Sequence, residues 1–292
     1  MSRQLTLAAT QFACAPDHAS NLDTAEHTVR EAASRGAGLV LLQELFADQY
    51  FCKRQETSHF ALAKPLDNHP DIARFAALAK ELGVVLPISF FEKAGQSHFN
   101  SIAIIDADGS ILGVYRKSHI PDGPGYQEKY YFSPGDTGFK VWHTAVGCIG
   151  VGICWDQWFP ECARSMALQG AEVLLYPTAI GSEPPDPDYD SQPHWETAMR
   201  GHAAANIMPL LASNRVGVES QSGRDVTFYG SSFISGWDGQ LLARAGRDNN
   251  EIVTATVDLD ATAAIRGSWG VFRDRRPELY GALSTLDGQR AR

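Results

Sequence analysis

The chain has 292 residues, with 25 lysine and arginine residues against 34 aspartate and glutamate residues, so its formal net charge is −9 at pH 7. General binding to nucleic acid is excluded, because it needs a basic surface that replaces the counterions on phosphate. No apolar run reaches the roughly 18 residues of a membrane-spanning helix, and the N-terminal segment lacks the basic head and apolar core of a signal peptide. We therefore expect a globular cytoplasmic protein with neither nucleic-acid nor membrane partners.

Cysteine usage is the next constraint. The five cysteines are odd in number and scattered, namely Cys14, Cys52, Cys148, Cys154 and Cys162. They form neither the paired C-x-x-C pattern of a zinc site nor the spacing of a disulfide framework. We expect reduced thiols and no metal site, with four thiols as bystanders and Cys154 as the candidate for chemistry.

The first part of the chain alternates predicted strands and helices. Alternating or continuous apolar residues predict strands, and apolar residues that recur on one helical face predict helices. Strands are predicted at residues 4–11, 38–44, 84–91, 98–106 and 111–116, and helices at residues 19–35 and 70–82. Pro70 suits the first turn of the second helix and Gly83 suits its end. The sequence Asp-Ala-Asp-Gly predicts the turn of a hairpin between the last two strands.

The alternation continues after a loop rich in glycine and proline at 121–138. Strands are predicted at residues 139–143, 147–153, 171–177, 208–213, 225–235, 241–245 and 251–257, and helices at residues 159–169 and 192–206. An acidic, proline-rich loop spans 178–190, and the segment from residue 268 is aromatic and basic without clear periodicity. No linker or internal repeat is present, so the pattern predicts one layered α/β domain. Whether the strands form one sheet or two stays open.

Three side chains that follow apolar strands are candidates for chemistry. A thiol at a strand-to-helix junction, such as Cys154, can face a cleft in which backbone amides stabilise an oxyanion. Glu44 ends a predicted buried strand and could act as a base if burial raises its pKa towards neutrality. Lys117 also follows a strand, and it could stabilise the oxyanion and help to hold Cys154 as a thiolate.

Each of these residues also has a plain structural interpretation. Taken singly, Cys154 is more often a packed core cysteine, Glu44 a solvated residue at a strand end, and Lys117 a solvated lysine. His119 and His143 lie in loops or at strand ends, but no spacing between histidine and cysteine is diagnostic of a catalytic pair. The joint arrangement, with each of the three residues at the end of an apolar strand, favours the catalytic interpretation.

Together these motifs resemble those of a known family. Glu44 in LVLLQELF, Lys117 in YRKSHI and Cys154 in GVGICWDQWFPE resemble the Glu–Lys–Cys signature of the nitrilase, or carbon–nitrogen hydrolase, superfamily. Longer segments resemble the branch that hydrolyses N-carbamoylputrescine, at residues 120–142, 168–184, 202–217 and 268–280. The resemblance covers almost the whole chain. It implies a four-layer αββα sandwich of the α/β class, with two packed mixed β-sheets flanked by helices.

The resemblance also implies a reaction. N-carbamoylputrescine would be hydrolysed to putrescine, ammonia and carbon dioxide, without a metal or organic cofactor. Cys154 would be the nucleophile, Glu44 the general base, and Lys117 with the backbone N–H of Trp155 the oxyanion site. Glu128, in GYQEKYYF, matches a second glutamate that positions the substrate and the lysine. The alternative for Glu128 is a surface residue paired with the lysine that follows it.

Substrate choice would depend on the acidic loop. A substrate that ends in an ammonium group requires carboxylates or aromatic faces at the far end of its pocket. We interpret Glu183 as the partner of that ammonium, with an ordinary solvated acid as the alternative. Tyr50 and Trp155 are expected as pocket walls, and Thr178 and Ala179 are expected at the entrance.

Two other functions stay open. Another amidohydrolase of the superfamily would act on N-carbamoyl amino acids or β-ureido acids. The carboxylate of such substrates would require arginine or lysine where this chain offers Glu183 and Asp186. A non-catalytic binding or scaffold protein could keep the same fold, although it would have no chemical need of all three catalytic residues.

The resemblance implies a domain organisation as well. Residues 1–267 would form a single carbon–nitrogen hydrolase domain, and residues 268–292 a C-terminal arm that joins homo-oligomer contacts. Trp269, Phe272 and Tyr280 would be poor residues to leave in water. The alternative for the arm is a flexible terminus.

Overall fold

The structure is a computed structural model that describes residues 2–221 and 224–289, with only the backbone of residues 221 and 224. Its strands are β1 (Gln4–Gln11), β2 (Leu39–Leu41), β3 (Leu86–Ala94), β4 (Ser97–Ile105), β5 (Ile111–Arg116), β6 (Val141–Thr144), β7 (Gly147–Val151), β8 (Val173–Pro177), β9 (Leu210–Ser213), β10 (Val216–Gln221), β11 (Arg224–Tyr229), β12 (Phe233–Ser235), β13 (Leu241–Arg244) and β14 (Glu251–Asp258). Its α-helices are α1 (His18–Ser34), α2 (Pro70–Leu82), α3 (Pro160–Leu168), α4 (Gln192–Asn206) and α5 (Leu259–Trp269). No helix in these ranges is both long and apolar enough to cross a membrane.

The strands form two layers of sheet. One layer is a six-stranded sheet in the order β13-β12-β9-β8-β7-β6, in which β7, β8 and β9 run parallel. The other consists of two three-stranded sheets, β14-β1-β2 and β3-β4-β5. A parallel pairing of Leu39 with Val85 joins these two sheets edge to edge. β10 and β11 form a separate antiparallel hairpin.

Alternate residues of the strands divide between an inner and an outer core, because successive side chains point to opposite faces of a sheet. Leu39 and Leu41 belong to the core between the two sheet layers, together with Val151 and Leu175 of the other layer. Val40 points the other way and packs with α1 and α2. α3 and α4 cover the outer face of the six-stranded sheet. The result is a four-layer αββα sandwich with mixed sheets, as predicted.

The ends of several strands meet at one edge of the sandwich. Glu44 follows β2, Lys117 follows β5 and Cys154 follows β7. Thr178 and Ala179 follow β8, which is the parallel neighbour of β7. Ligand sites of layered α/β folds commonly lie beyond the carboxyl ends of parallel strands. The fold therefore brings residues that are distant in sequence to a single location.

The strand predicted at 225–235 is wrong in the structure, which has two strands there, β11 and β12. Gly230 and Ser231 separate them, with φ angles of 55° and 60°. This left-handed backbone ends the pairing of β11 with β10, and the chain then joins the six-stranded sheet. The sequence is rich in β-forming residues on both sides of the break, which is why it resembles one long strand.

Helix α5 and strand β10 were not predicted. Helix α5 begins after Asp258, whose side chain accepts the N–H of Ala261, and ends at Gly270 with φ 78°. Within α5 only Leu259 and Thr262 are buried. The apolar periodicity that identifies a helix is therefore almost absent from this segment.

The C-terminal segment follows α5 across the outside of α3. The guanidinium of Arg164 on α3 lies 4.9 Å from the ring centre of Phe272. Trp269, at the end of α5, is 73% exposed. Residues 290–292 of the predicted arm, like residue 1 of the predicted domain, lie outside the described residues.

Candidate active site

Lys117 lies at the centre of a cluster of buried charges. Its ammonium donates hydrogen bonds to Glu44 Oε1 at 2.8 Å and to Glu128 Oε2 at 2.7 Å. All three side chains are fully buried. A buried ammonium is strongly destabilising unless it is paired, and here two carboxylates compensate its charge. The alternative of a solvated lysine is therefore wrong.

Glu44 lies just beyond β2, and only one of its two carboxylate oxygens accepts hydrogen bonds from described residues. Its backbone N–H donates to the carbonyl of Thr178 at 3.3 Å. Oε1 accepts a hydrogen bond from Asn100 Nδ2 at 2.7 Å in addition to the one from Lys117. Oε2 is buried and has no hydrogen-bond partner among the described residues. Glu44 is thus not a solvated rim residue, and Oε2 is available to accept a proton.

Glu128 is held on its other side by Tyr50. The Tyr50 hydroxyl donates to Glu128 Oε1 at 2.7 Å, and both side chains are fully buried. The alternative of a surface glutamate paired with its neighbouring lysine is wrong, because Glu128 pairs with Lys117 instead. Tyr50 was expected as a pocket wall. The structure shows that its side chain is fully buried and that its hydroxyl orients the Glu128 carboxylate.

Cys154 begins a short 3-10 helix and has a φ angle of 42°. A residue with a side chain adopts this left-handed region only where its surroundings impose it, and such positions concentrate at functional sites. The thiol lies 3.8 Å from the carbonyl oxygen of Ala179, to which it donates. N–H groups in the first turn of a helix have no acceptor within that helix. The N–H of Trp155 lies in this turn, directly after the thiol.

Asp156 holds the turn that follows Cys154. Its carboxylate accepts the N–H of Ile153 at 2.9 Å, the hydroxyl of Tyr115 at 2.7 Å and the N–H of His119 at 3.0 Å. The His119 ring also contacts Asp156 and stacks on Phe159 at 3.6 Å between centres. His119 therefore supports the turn structurally. Across residues 2–221 and 224–289, no group of three or more His, Cys, Asp or Glu side chains is placed to hold a metal ion.

Burial and mutual charge set the protonation states of the site. Burial raises the pKa of Glu44 above its usual range, and the positive charge of Lys117 offsets only part of this effect. Burial alone would lower the pKa of Lys117, but Glu128 and Glu44 together raise it well above the ordinary value. Burial, with the charge of Glu44, raises the pKa of the Cys154 thiol well above the ordinary value. The positive charge of Lys117 lowers the pKa of the thiol, as expected of a group that favours the thiolate, but burial and the charge of Glu44 outweigh it, so the thiol needs a base to accept its proton.

A surface cleft of about 410 Å³ adjoins the turn that carries Cys154. Its walls include Trp155, Trp158 and Tyr189 together with the carboxylates of Glu183 and Asp186. Trp155, which was expected as a wall of the substrate pocket, lines this cleft. Glu183 is half-buried, and none of the described residues forms a hydrogen bond or an ion pair with its carboxylate. The charge of Glu183 is thus uncompensated within the described part of the chain.

Tyr126 is a partly buried residue that contacts the acidic loop. Burial raises the pKa of its hydroxyl, and the charge of Glu183 adds to the effect. Its hydroxyl accepts the N–H of Gly181 at 2.9 Å and donates to the carbonyl of Ser182 at 3.1 Å. Tyr126 therefore fastens the start of the acidic loop beside the site.

Thr178 and Ala179 do not lie at the pocket entrance, where they were expected. Both are buried. The Thr178 hydroxyl donates to Gln157 Oε1 at 3.1 Å, and its carbonyl accepts the N–H of Glu44. The carbonyl of Ala179 accepts the thiol of Cys154. The main-chain carbonyls of these two residues, which directly follow β8, thus bind the Glu44 backbone and the Cys154 thiol.

Asn100 is a site residue that sequence reasoning missed. Its side chain donates to Glu44, and its carbonyl accepts the N–H of Lys117 at 2.9 Å. It therefore orients both partners of the central ion pair. The available signal in the sequence was an asparagine inside a predicted strand, between Phe99 and the apolar residues 102–105.

Comparison with known proteins gives relatives along nearly the full length of the chain. Residues 6–267 match the family described as carbon-nitrogen hydrolase. An N-carbamoylputrescine amidase of Solanum lycopersicum is 60% identical, with 98% of this chain and 97% of the relative covered. A citrullinase of Francisella tularensis subsp. tularensis is 55% identical, with 96% and 98% covered. The crystal structure of a carbon-nitrogen hydrolase from Helicobacter pylori G27 is 43% identical, with a TM-score of 0.92 and with 97% and 99% covered.

Proposed function

This chain belongs to the carbon–nitrogen hydrolase family, and we propose that it hydrolyses N-carbamoylputrescine to putrescine, ammonia and carbon dioxide. The buried group of Glu44, Lys117 and Glu128 beside the Cys154 thiol is the observation that carries the proposal. Covalent attack on a carbonyl carbon requires a nucleophile, a base that can accept its proton and a positive group near the oxyanion. Cys154, Glu44 Oε2 and Lys117 can fill these roles. The 60% identity to an N-carbamoylputrescine amidase supports the choice of substrate.

The first half of the reaction attaches the substrate to Cys154. Glu44 Oε2 takes the thiol proton while sulfur bonds to the carbamoyl carbon, and the carbonyl electron pair moves to oxygen. Lys117 and the N–H of Trp155 stabilise this oxyanion. When the oxyanion collapses, one carbon–nitrogen bond breaks and Glu44 returns its proton to the leaving nitrogen. The products of this half are an amine or ammonia and a carbamoyl thioester on Cys154.

The second half releases the enzyme. Glu44, again unprotonated, removes a proton from water as the water oxygen attacks the thioester carbon. The carbon–sulfur bond then breaks, and the sulfur recovers the proton from Glu44. The released carbamic acid decomposes to carbon dioxide and the second nitrogen product, so one water molecule is consumed. Glu128 holds Lys117 in place through both halves.

Glu183 would supply the selectivity for a cationic substrate. An ammonium group in the cleft would meet an uncompensated carboxylate and the aromatic faces of Trp155 and Trp158. Both kinds of group attract cations. The distance from the ureido carbon to the terminal amine of putrescine would place this ammonium away from the thiol and towards the acidic loop.

A second candidate substrate is citrulline, which carries the same ureido group. The 55% identity to a citrullinase favours it. Like the N-carbamoyl amino acids and β-ureido acids considered above, citrulline presents a carboxylate, which Glu183 and Asp186 would repel. Its α-ammonium would be attracted by the same residues, whereas N-carbamoylputrescine presents the ammonium without the carboxylate. We therefore place these substrates behind N-carbamoylputrescine.

Ammonia release from equal concentrations of N-carbamoylputrescine, citrulline and N-carbamoyl-β-alanine separates the candidates. We expect the highest kcat/KM for N-carbamoylputrescine. A clear preference for either substrate that bears a carboxylate would overturn the substrate assignment while leaving the hydrolytic chemistry in place. No release from any ureido compound would favour a non-catalytic role.

The same proposal includes a cytoplasmic location and a homo-oligomer. All five cysteines are unpaired and buried, which suits a reducing compartment. In the proposed C-terminal arm Leu279 is 65% exposed and Leu283 is 66% exposed. Contact with another copy of the chain would remove these side chains from water. Analytical ultracentrifugation of the full chain and of a chain ending at residue 267 tests this, with a smaller assembly expected for the shorter chain.

A further inference from the structure

A second group of buried charges lies behind the carboxylates of the site. Arg215, Glu219 and Lys53 are all fully buried. Arg215 Nη1 donates to Glu219 Oε1 at 2.8 Å, and Lys53 Nζ donates to the carbonyl of Glu219 at 2.8 Å. The mechanism above uses none of these residues. Replacing buried ion pairs by apolar residues is often neutral or stabilising, so their presence is not explained by stability alone.

Arg215 binds the turn that carries Glu44. Its guanidinium donates to the carbonyl of Glu44 at 3.0 Å and 3.2 Å, of Leu45 at 2.5 Å and of Asp48 at 3.0 Å. Leu45 has a φ angle of 49°, in the region that residues with side chains rarely adopt. Such a conformation persists only where the surroundings fix it. The planar guanidinium of Arg215 fixes the conformation of Leu45, because it binds three carbonyls of the turn that contains Leu45.

Glu219 connects the same guanidinium to the second carboxylate of the site. Glu219 Oε2 accepts the backbone N–H of Tyr50 at 2.6 Å. The Tyr50 hydroxyl in turn donates to Glu128. The Arg215–Glu219 ion pair is therefore bonded to the main chain at Glu44 and at Tyr50. Through these two contacts it orients both carboxylates that pair with Lys117, those of Glu44 and Glu128.

We propose that Arg215 and Glu219 are positioning residues, whose ion pair holds Glu44 and Tyr50 in the geometry in which Glu44 takes the thiol proton. This inference rests on the proposed hydrolytic chemistry but not on the choice of substrate. Both residues act through the main chain of their neighbours, so neither needs to touch the substrate.

The ion pair also affects the charge around Glu44. Among the described residues, the titratable and charged groups near Glu44 are of two kinds. Those across the site are Lys117, Glu128, Cys154, Cys52 and Tyr50, and those on the side of Arg215 are Arg215, Glu219, Lys53, Asp48 and Cys14. Removing the charge of Arg215 takes away positive potential and raises the pKa of Glu44. Removing the charge of Glu219 leaves Arg215 uncompensated and lowers the pKa of Glu44. The two changes therefore have opposite signs.

Alkylation of Cys154 by iodoacetamide tests this arrangement without any substrate. Its rate falls below the pH at which Glu44 becomes protonated, and mass analysis of peptides identifies the labelled cysteine. We expect the acid limb of this profile to move to higher pH in Arg215→Gln and to lower pH in Glu219→Gln. In ammonia release from N-carbamoylputrescine we expect Arg215→Gln to lower kcat by roughly 100-fold, as a misplaced group would, with KM changed by no more than about twofold.

Two further variants distinguish the effect of the Arg215 charge from the effects of its planar shape and of general stability. Arg215→Lys keeps the charge but loses the planar fork, so we expect the acid limb to stay in place while kcat falls. Arg266→Gln is the matched control. Arg266 is a part-buried arginine that also donates to carbonyls, those of Ile207 at 3.0 Å and Ala171 at 3.1 Å. We expect this control to lower the unfolding midpoint without moving the acid limb or kcat.

Acid limbs that stay in place or move in the same direction in both glutamine variants would overturn the proposal, since a purely structural role predicts that result. If Arg215→Gln does not fold, the acid limb of Glu219→Gln alone tests the proposal: a shift to lower pH supports it, and no shift or a shift to higher pH overturns it. If the wild type releases no ammonia from N-carbamoylputrescine, the proposed function fails, but the two alkylation profiles still decide whether Arg215 and Glu219 position the base.

Discussion

Carboxylates occupy two contrasting environments near Cys154. Glu44 and Glu128 are fully buried and share the ammonium of Lys117. Glu183 is half-buried in an aromatic cleft, with no ion pair within the described residues. Lys117 compensates the first two charges, whereas none of the described residues compensates the third, which under the proposed function would bind the ammonium group of the substrate. The buried carboxylates therefore suit the chemistry of the ureido group, and the cleft carboxylate suits selection of the other end of the substrate.

This comparison predicts different kinetic effects for the two environments. A group that acts in the transition state changes kcat, and a group that only binds the distant end of the substrate changes KM. Substitutions of equal chemical size, glutamate to glutamine, can be made at both places. Their kinetic constants then show whether the two regions are functionally separate.

Among the glutamate substitutions, Glu44→Gln has the largest expected effect. Glutamine cannot accept the thiol proton, so we expect kcat to fall by about 10²- to 10⁴-fold. Burial raises the pKa of Glu44. The wild-type rate should therefore fall as the pH drops through a value above the usual carboxyl range. The variant should lack this acid limb, and pH profiles of ammonia release measure both effects.

Glu172→Gln is the control for this substitution. Glu172 is another largely buried glutamate, and it pairs with Arg3 at 2.7 Å away from the site. We expect it to lower the free energy of unfolding slightly and to leave kcat unchanged. A similar loss of kcat in both variants would show that Glu44 acts through stability and not as the base.

Lys117→Met tests the compensation of the buried charges. It leaves two carboxylates together without a cation, and we expect a loss of about 3–5 kcal/mol in the free energy of unfolding near neutral pH. Burial raises the pKa of Glu44, and the loss of the Lys117 charge raises it further, so the folded variant binds a proton at Glu44 more tightly than the unfolded chain does. Its stability deficit should therefore shrink as the pH falls from about 8 to about 5. Urea unfolding at both pH values measures this, and a deficit independent of pH would contradict the account.

Glu183→Gln should change selection and not chemistry. We expect roughly a tenfold increase in KM for N-carbamoylputrescine, since one charge-assisted contact is lost, with kcat changed by less than about twofold. Asp188→Asn removes a charge from an exposed position of the same loop, and we expect no change in KM. Equal effects of both substitutions would mean that the general acidity of the loop, and not the cleft carboxylate, attracts the substrate.

The catalytic candidates were predictable because each lies within three residues of the end of a strand. Glu44, Lys117 and Cys154 stand beside recognisable apolar runs, so their positions at strand ends could be inferred from sequence. Asn100 and Arg215 could not be assigned in this way. Asn100 lies within a strand, and Arg215 acts on a turn distant in sequence, so their roles depend on contacts that only the tertiary structure creates.

Some elements of the fold could likewise be predicted from local sequence, and others could not. The predicted bounds of α2, β5 and α4 agree with the structure, and α2 has a proline at its start and a glycine at its end. α5 was missed because its surface residues carry little periodicity. The number of sheets stayed open because an apolar strand shows that both faces are buried, but not which layer covers each face.

The assignment of Cys154 as the nucleophile is tested most directly by ammonia release from N-carbamoylputrescine with the Cys154→Ala protein. Cys162→Ala removes another buried thiol, on α3, and serves as the matched control. Circular dichroism and calorimetric binding of the substrate establish that both variants are folded and still bind. We predict no release above background from Cys154→Ala and near wild-type release from Cys162→Ala. Release at the wild-type rate by Cys154→Ala would contradict the assignment.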